Sequence, residues 1–357
     1  MTARVVHVAS GREWRGGQRQ VWLLARELAR LGGIEQVVVT GRGSELAARL
    51  QNDGVPVRAV PWTAGLDPRV LPGLLGELRG HDAVVHAHDA HAVTLGGLAA
   101  ALAGRTLVAT RRVNLPLRRR GFWARASRVI AVSQAVADVL LADGIARERI
   151  VVIHSGVALE ELRRTPRLGV REQLGLAPGT TVAASVGALG RDKDHATLLR
   201  AAGLLRERFA SLHWVIAGEG PERAALERLR AELGLGGRVH LVGHLPEPAR
   251  LVADADLFVM SSRDEGLGTA VLDAMALGIP VASTAAGGLP EMLGDGAGVL
   301  APPGDPAALA AAVARLLDDP GLARVVTARA AAVVERFTAA RMAAAVRSVY
   351  RSSAPFP

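Results

Sequence analysis

The chain has 357 residues, 50% of them hydrophobic and 22% charged, and it contains no cysteine. That length is too great for one small core and suits two domains of ordinary globular composition, which excludes a disordered or collagen-like chain. The lack of thiols excludes disulfides, thiolate zinc sites and thiol nucleophiles.

The longest stretch of apolar character, Ala92–Gly104, has thirteen residues, short of the roughly 20 that span a bilayer. The first ten residues, MTARVVHVAS, alternate like a buried strand rather than a secretion signal. A cytoplasmic protein is expected. Charge is unevenly spread: residues 1–157 carry 21 basic and 12 acidic side chains, and the remainder 22 of each, so the whole net charge of +9 lies in the front half. The two halves are therefore expected to meet different partners.

In chain order, short β-branched runs alternate with Ala/Leu/Arg-rich helical stretches. Strands are predicted over 5–9, 36–40, 55–60, 83–87, 106–110, 128–132 and 150–154, with a helix over Gln18–Leu31 after the first. A Pro- and Arg-bearing stretch, 163–179, interrupts the pattern. It restarts with strands over 182–187, 212–218, 238–243, 256–260, 279–283 and 297–300. Near-continuous apolar strands separated by helices mean parallel sheet covered on both faces. The fold class is α/β: two doubly wound domains facing across a cleft, with sites beyond the carboxyl ends of the strands.

Candidate chemistry follows the same order. Gly16 and Gly17 precede the first helix, where paired glycines let an anion approach backbone N–H groups. No GxGxxG follows the first strand, which disfavours a dinucleotide dehydrogenase. His86 and His88 close the fourth strand on one side of it, and no third ligand of recognisable spacing accompanies them. Seven arginines fall between Arg111 and Arg128, among them Arg112, Arg118, Arg119 and Arg120. With Leu115, Leu117, Phe122 and Trp123 interleaved, they suit an anionic membrane surface at least as well as nucleic acid, beside the plainer reading of a solvated arginine face. No nucleic-acid motif accompanies them, and aromatics are only 3% of the chain.

After the restart, Gly187 opens a loop carrying Arg191 and Lys193. Of 43 basic residues Lys193 is the only lysine, so a compact ammonium is wanted there, as for a phosphate oxygen. The strongest segment runs from Ser261 to Ala276: a strand ends, a turn carries Glu265, Gly266 and Leu267, and a helix is expected from near Gly268 and Thr269 with Asp273 on its inner turns. Its first N–H groups can hold a diphosphate, and a carboxylate can accept from sugar hydroxyls. Gly287 and Gly288 offer a second Gly-rich loop beside it. Asp254 and Asp256 imitate a metal-binding pair but sit at a strand entrance, and no metal site is expected.

These motifs resemble the family-4 retaining glycosyltransferases of GT-B fold, nearly end to end: RGGQRQVWLLARELARLG (15–32), VVHAHD (84–89), VIHSGV (152–157), VGALGRDKDHATLLRAA (186–202), VIAGEGP (215–221) and EGLGTAVLDAMALGIPVASTAAGGLPEML (265–293). FTAARMAAAVRSVY (337–350) is similar to the helix that crosses back to the first domain in that family. The resemblance implies an acceptor-side domain over 1–157, a donor domain over 158–338 and a returning helix over 339–357. It assigns Glu265 to donor-sugar hydroxyls, Asp273 to the ribose, and Lys193, Gly16 and Gly17 to the diphosphate. His88 would stand near the reacting centre, and the backbone about Gly243 and His244 would seat the base. Two departures stand out: the second acid is Asp where Glu is usual, and Ala188 replaces the usual arginine, a role Arg191 is placed to take.

The expected activity is metal-independent, cofactor-free, retaining transfer of a hexosyl unit from a nucleotide-diphosphate sugar, UDP-linked, to a hydroxyl of a cell-envelope glycan or glycolipid. A monomer or weak dimer in peripheral contact with anionic membrane, and not with nucleic acid, is expected. The rivals are a nucleotide-sugar epimerase of the same fold and, in another class, a basic nucleic-acid-binding protein.

Overall fold

A computed structural model describes residues 4–353. It divides into two compact units, one formed by residues 1–156 and 338–357 and the other by 157–337.

The first unit is built on a seven-stranded, all-parallel sheet. Its strands are β1 (Arg4–Ala9), β2 (Glu35–Gly41), β3 (Val57–Val60), β4 (Ala83–Ala87), β5 (Thr106–Arg111), β6 (Arg128–Ala131) and β7 (Ile150–Val152), in the spatial order 3-2-1-4-5-6-7. The order reverses between β1 and β4, so their carboxyl ends flank the point where such sheets hold ligands. Val5, Val6 and Val8 of β1 and Val84 and Val85 of β4 are buried because helices cover both faces. Each such side chain contributes about 1.5–3 kcal/mol on burial. The third strand is shorter than the predicted 55–60 because Pro56 has no N–H to donate to a ladder.

The first helix starts at Gly16, two residues earlier than the pattern indicates, and ends at Gly32, whose φ of 64° lets its N–H turn back to the Leu28 and Ala29 carbonyls. Gln20 on this helix pairs with the backbone of Gly156 in both directions: its Nε2 donates to the carbonyl at 2.8 Å and its Oε1 accepts from the N–H at 2.9 Å. The helix Ala339–Ser353 packs along it. A Cβ at Gly156 would stand 2.6 Å from Ala339 Cα, so only glycine passes under the start of that helix.

The second unit carries six parallel strands: β8 (Thr181–Val186), β9 (Leu212–Ala217), β10 (Val239–Gly243), β11 (Leu257–Met260), β12 (Val281–Thr284) and β13 (Val299–Ala301), in the order 10-9-8-11-12-13. The switch point here lies between β8 and β11, and the two loops that leave these strands are those of Lys193 and Glu265. The core on one face joins Leu198, Leu199, Trp214, Ile216, Leu257, Val259, Leu309 and Val313. Each sheet is the doubly wound parallel kind expected from the sequence.

Candidate functional site

In the second unit the loop after β8 and the loop after β11 are tied together before any ligand is considered. The Arg263 N–H donates to the Asp192 carbonyl at 2.8 Å, Arg263 Nε donates to Asp194 at 2.6 Å, and Ser261 Oγ donates to the Lys193 carbonyl at 2.9 Å. Asp194 is the one non-glycine residue of positive φ, 44°, among the described residues; it caps the helix His195–Leu205 by accepting from Thr197. Backbone so constrained holds the side chain of its neighbour in one direction. Lys193 Nζ donates to Glu265 Oε2, and Ser262 Oγ lies 3.4 Å from the same oxygen. The carboxylate is 11% exposed and the ammonium 18%, so the pair is half withdrawn from water.

Glycines make room around it. A Cβ at Gly287, where φ is 51°, would fall 1.8 Å from the Glu265 carbonyl, which instead accepts from the Gly288 N–H at 3.1 Å. A Cβ at Gly218 would lie 1.8 Å from the Gly187 carbonyl. Gly218 donates to the Gly243 carbonyl at 2.8 Å, which joins the turn after β9 to the end of β10. The helix Thr269–Ala276 begins with Gly268 as its N-cap, at φ 91°, with no capping side chain and no acid in its first turn. No capping side chain or first-turn acid therefore offsets the partial positive charge of its first N–H groups. Asp273 lies on the buried side of this helix, only 4% exposed. His195, which approaches the space beside Gly187 together with Lys193, is held down to about 4, first by burial and then by the Lys193 charge, against Asp192 and Asp194.

Other residues named from the sequence stand apart from this group. The Arg191 side chain is 93% exposed and turns to Glu222 at 3.5 Å, away from Lys193. Gly243 is buried and left-handed (φ 80°), whereas His244 is exposed. Asp254 accepts from the Val170 N–H and from Arg171, and Asp256 accepts from Arg171 and the Val182 N–H, so both acids fasten the entrance of the sheet.

In the first unit Gly16, Gly17, His88 and Arg112 come together. Gly16 and Gly17 form the first turn of a helix, and neither has positive φ. This corrects the expectation of a loop before the helix. The turn has no capping side chain and no acid, and a Cβ on Gly17 would meet only Arg112 Cδ, at 3.9 Å. Arg112 NH2 donates to His88 Nδ1 at 3.1 Å, and burial lowers the guanidinium to about 10, still protonated at neutral pH. The neighbouring Asp89 carboxylate opposes that shift, but it is committed to Ser10 and to the Ala92 N–H as a helix cap.

His86 and His88 acquire a third imidazole that sequence spacing could not show: His7, on the adjacent strand. All three are buried, and burial is the first cause that keeps each well below the usual histidine range, His7 at about 4. His86 is set between the hydroxyls of Tyr350 at 2.6 Å and Thr110 at 2.7 Å. The rest of the arginine cluster behaves differently. Arg111 donates to the Leu115 carbonyl, while Arg118, Arg119 and Arg120 are exposed beside Val113 and Leu115, which are exposed themselves. None of these four arginines forms an ion pair among the described residues.

Comparison with known proteins agrees with the fold. Residues 169–333 match the group 1 glycosyl transferases, and residues 14–161 match glycosyltransferase family 4. The chain is 34% identical to a D-inositol 3-phosphate glycosyltransferase of Thermobispora bispora, over 92% of this chain and 87% of that protein. It is 33% identical to the 2-deoxystreptamine glucosyltransferase of Streptomyces kanamyceticus, over 56% of this chain and 54% of that one. Among solved structures, Anabaena HepE in complex with UDP and glucose superposes with a TM-score of 0.85 at 22% identity, covering 98% and 99% of the two chains.

Proposed function

Because the chain belongs to the group 1 and family 4 glycosyltransferases, we propose that it moves a hexosyl unit from a uridine-diphosphate sugar to a hydroxyl of a phosphate-bearing cell-envelope acceptor, with retention and without a metal. One observation carries the donor half of this reading. The only lysine in the chain lies in a salt bridge with Glu265, at the switch point of the second sheet, beside an uncapped helix start. A diphosphate entering there takes over the ammonium and releases Glu265, whose freed carboxylate then accepts from the sugar hydroxyls. Breaking the bond from the anomeric carbon to the phosphate oxygen puts negative charge on the diphosphate. Lys193 and the N–H groups after Gly268 stabilise that charge, and the acceptor hydroxyl attacks from the same face and gives its proton to the departing phosphate oxygen. Asp273 reads the ribose from its buried place on the helix, and the turn at Gly243 and His244 borders the base.

The acceptor half rests on charge. Arg118, Arg119 and Arg120 are exposed cations without carboxylate partners among the described residues, in the half of the chain that holds all the net charge. They suit an acceptor that carries phosphate, whether a soluble cyclitol phosphate or a lipid-linked glycan at an anionic bilayer. Two relatives are named for their acceptors, D-inositol 3-phosphate and 2-deoxystreptamine.

The test has two parts. Nucleotide sugars are screened for thermal stabilisation, which reports any ligand that binds the folded state. The binding donor is then offered inositol phosphate, or anionic vesicles with and without lipid-linked glycan. A UDP-sugar that stabilises the chain and is consumed only with a phosphorylated acceptor supports the proposal. Donor turnover to an epimer without any acceptor would select the epimerase instead.

A further inference from the structure

Around His88 the hydrogen-bond partners determine where every proton sits. Arginine has donors only, so His88 Nδ1, 3.1 Å from Arg112 NH2, is the acceptor and carries no proton. A neutral His88 then has its proton on Nε2, which points at His7 Nδ1, 3.0 Å away. Two nitrogens share one hydrogen, so His7 Nδ1 accepts and the His7 proton must be on Nε2. Gln36 lies near His7 and raises its proton affinity, and Gln36 Nε2 donates to the Ala25 carbonyl at 2.7 Å. His7 Nε2 and Gln36 Oε1 are both buried without a hydrogen-bond partner, so the chain of bonds ends at His7.

We propose that Arg112 and His7 are positioning residues: they form a one-way relay that holds His88 as its Nε2–H tautomer, with both ring nitrogens occupied. Two consequences follow. His88 is a fixed strut and not a proton acceptor during transfer. It also gives Arg112 a neutral acceptor instead of a carboxylate, so the guanidinium charge is not cancelled by its partner beside the Gly16–Gly17 helix start. Protonating His88 at Nδ1 would place two cations in contact and break the bond from Arg112.

The same three histidines stand close enough to share a metal ion. The bonding argues against it: His86 is bonded through both nitrogens to hydroxyls, and the Arg112 cation touches His88.

The experiment is two-bond ¹H–¹⁵N spectroscopy of the full chain labelled at histidine, with donor turnover measured on the same samples. His7→Gln keeps one acceptor and one donor, whereas His7→Leu keeps neither. Wild type should show His7 and His88 as Nε2–H tautomers that do not titrate between pH 8 and 5.5, unchanged by equimolar Zn²⁺. His7→Gln should preserve the His88 tautomer and turnover within about twofold. His7→Leu should mix the tautomers and lower kcat by about tenfold with little change in the donor KM. A protonated Nδ1 on His88 in wild type, displacement of ring protons by zinc, or equal losses in the two variants would overturn the relay. The turnover arm rests on the glycosyltransferase reading; the tautomer arm is read on the unliganded chain and stands apart from it.

Discussion

Lowering the pH should unfold the first unit before the second. Three histidines of the first unit, His7, His86 and His88, are buried and neutral, with proton affinities held well below the usual value of 6.5 by burial. In the second unit His195 is in that state, at about 4, and burial also lowers the partly buried His213 and His240 by smaller amounts. Where the unfolded chain binds more protons than the folded one, stability falls as pH falls. That condition holds for each histidine from the unfolded value near 6.5 down to its own folded value. Each such group contributes a slope of about 1.4 kcal/mol per pH unit. The first unit should therefore lose roughly 4 kcal/mol per unit below about pH 6, and the second roughly 1.4 from His195 with a smaller share from His213 and His240. A domain at the lower end of the usual range, about 5–8 kcal/mol, would then fail between about pH 5 and 4. Trp14, Trp22, Trp62 and Trp123 lie in the first unit and Trp214 in the second, so tryptophan fluorescence reports chiefly on the first. Urea titrations at pH 7, 6 and 5, followed by that signal and by His195→Asn as a control, measure the slope. A first unit no more acid-sensitive than the second, or stabilised by acid, would refute burial of the three imidazoles in neutral form.

Further outcomes concern the donor loops. Lys193→Ala should lower turnover at saturating donor by about 10²–10³, the loss typical of one preorganised donor to a developing anion, whereas Arg191→Ala should cost less than about fivefold because its side chain lies in solvent beside Glu222. A larger loss at Arg191 would mean that it has taken over from the arginine absent at Ala188. Asp273→Asn should weaken nucleotide affinity more than it slows transfer, and Glu265→Gln the reverse; matching losses of affinity would contradict that division. Turnover should survive excess EDTA, and restoration by Mn²⁺ of activity lost to the chelator would reject metal-free transfer.

The parallel α/β pattern was legible because buried strands between helices are written as β-branched runs, Val5–Ala9 and Ala83–Ala87 among them. Element ends were less so. The first helix takes in Gly16 and Gly17 because the chain turns at Arg15, which local propensity does not reveal. The loops of Lys193 and Glu265 could be named from composition and motif, yet their ion pair joins residues 72 apart. The same distance in sequence hid His7 from His88, 81 residues on, and Tyr350 from His86, 264 residues on. His7 reads as an ordinary strand residue until β4 is laid beside it. Arg191 was misleading for the converse reason: proximity to Lys193 in sequence counts for less than attraction to Glu222 across the turn.

The most direct measurement is a calorimetric titration of UDP-glucose into wild-type protein and Lys193→Ala. Wild type should bind saturably, and removal of the ammonium should weaken binding by about 30-fold, equivalent to about 2 kcal/mol for a hydrogen bond to a charged group. Equal affinity in the two proteins would contradict a diphosphate seated on Lys193.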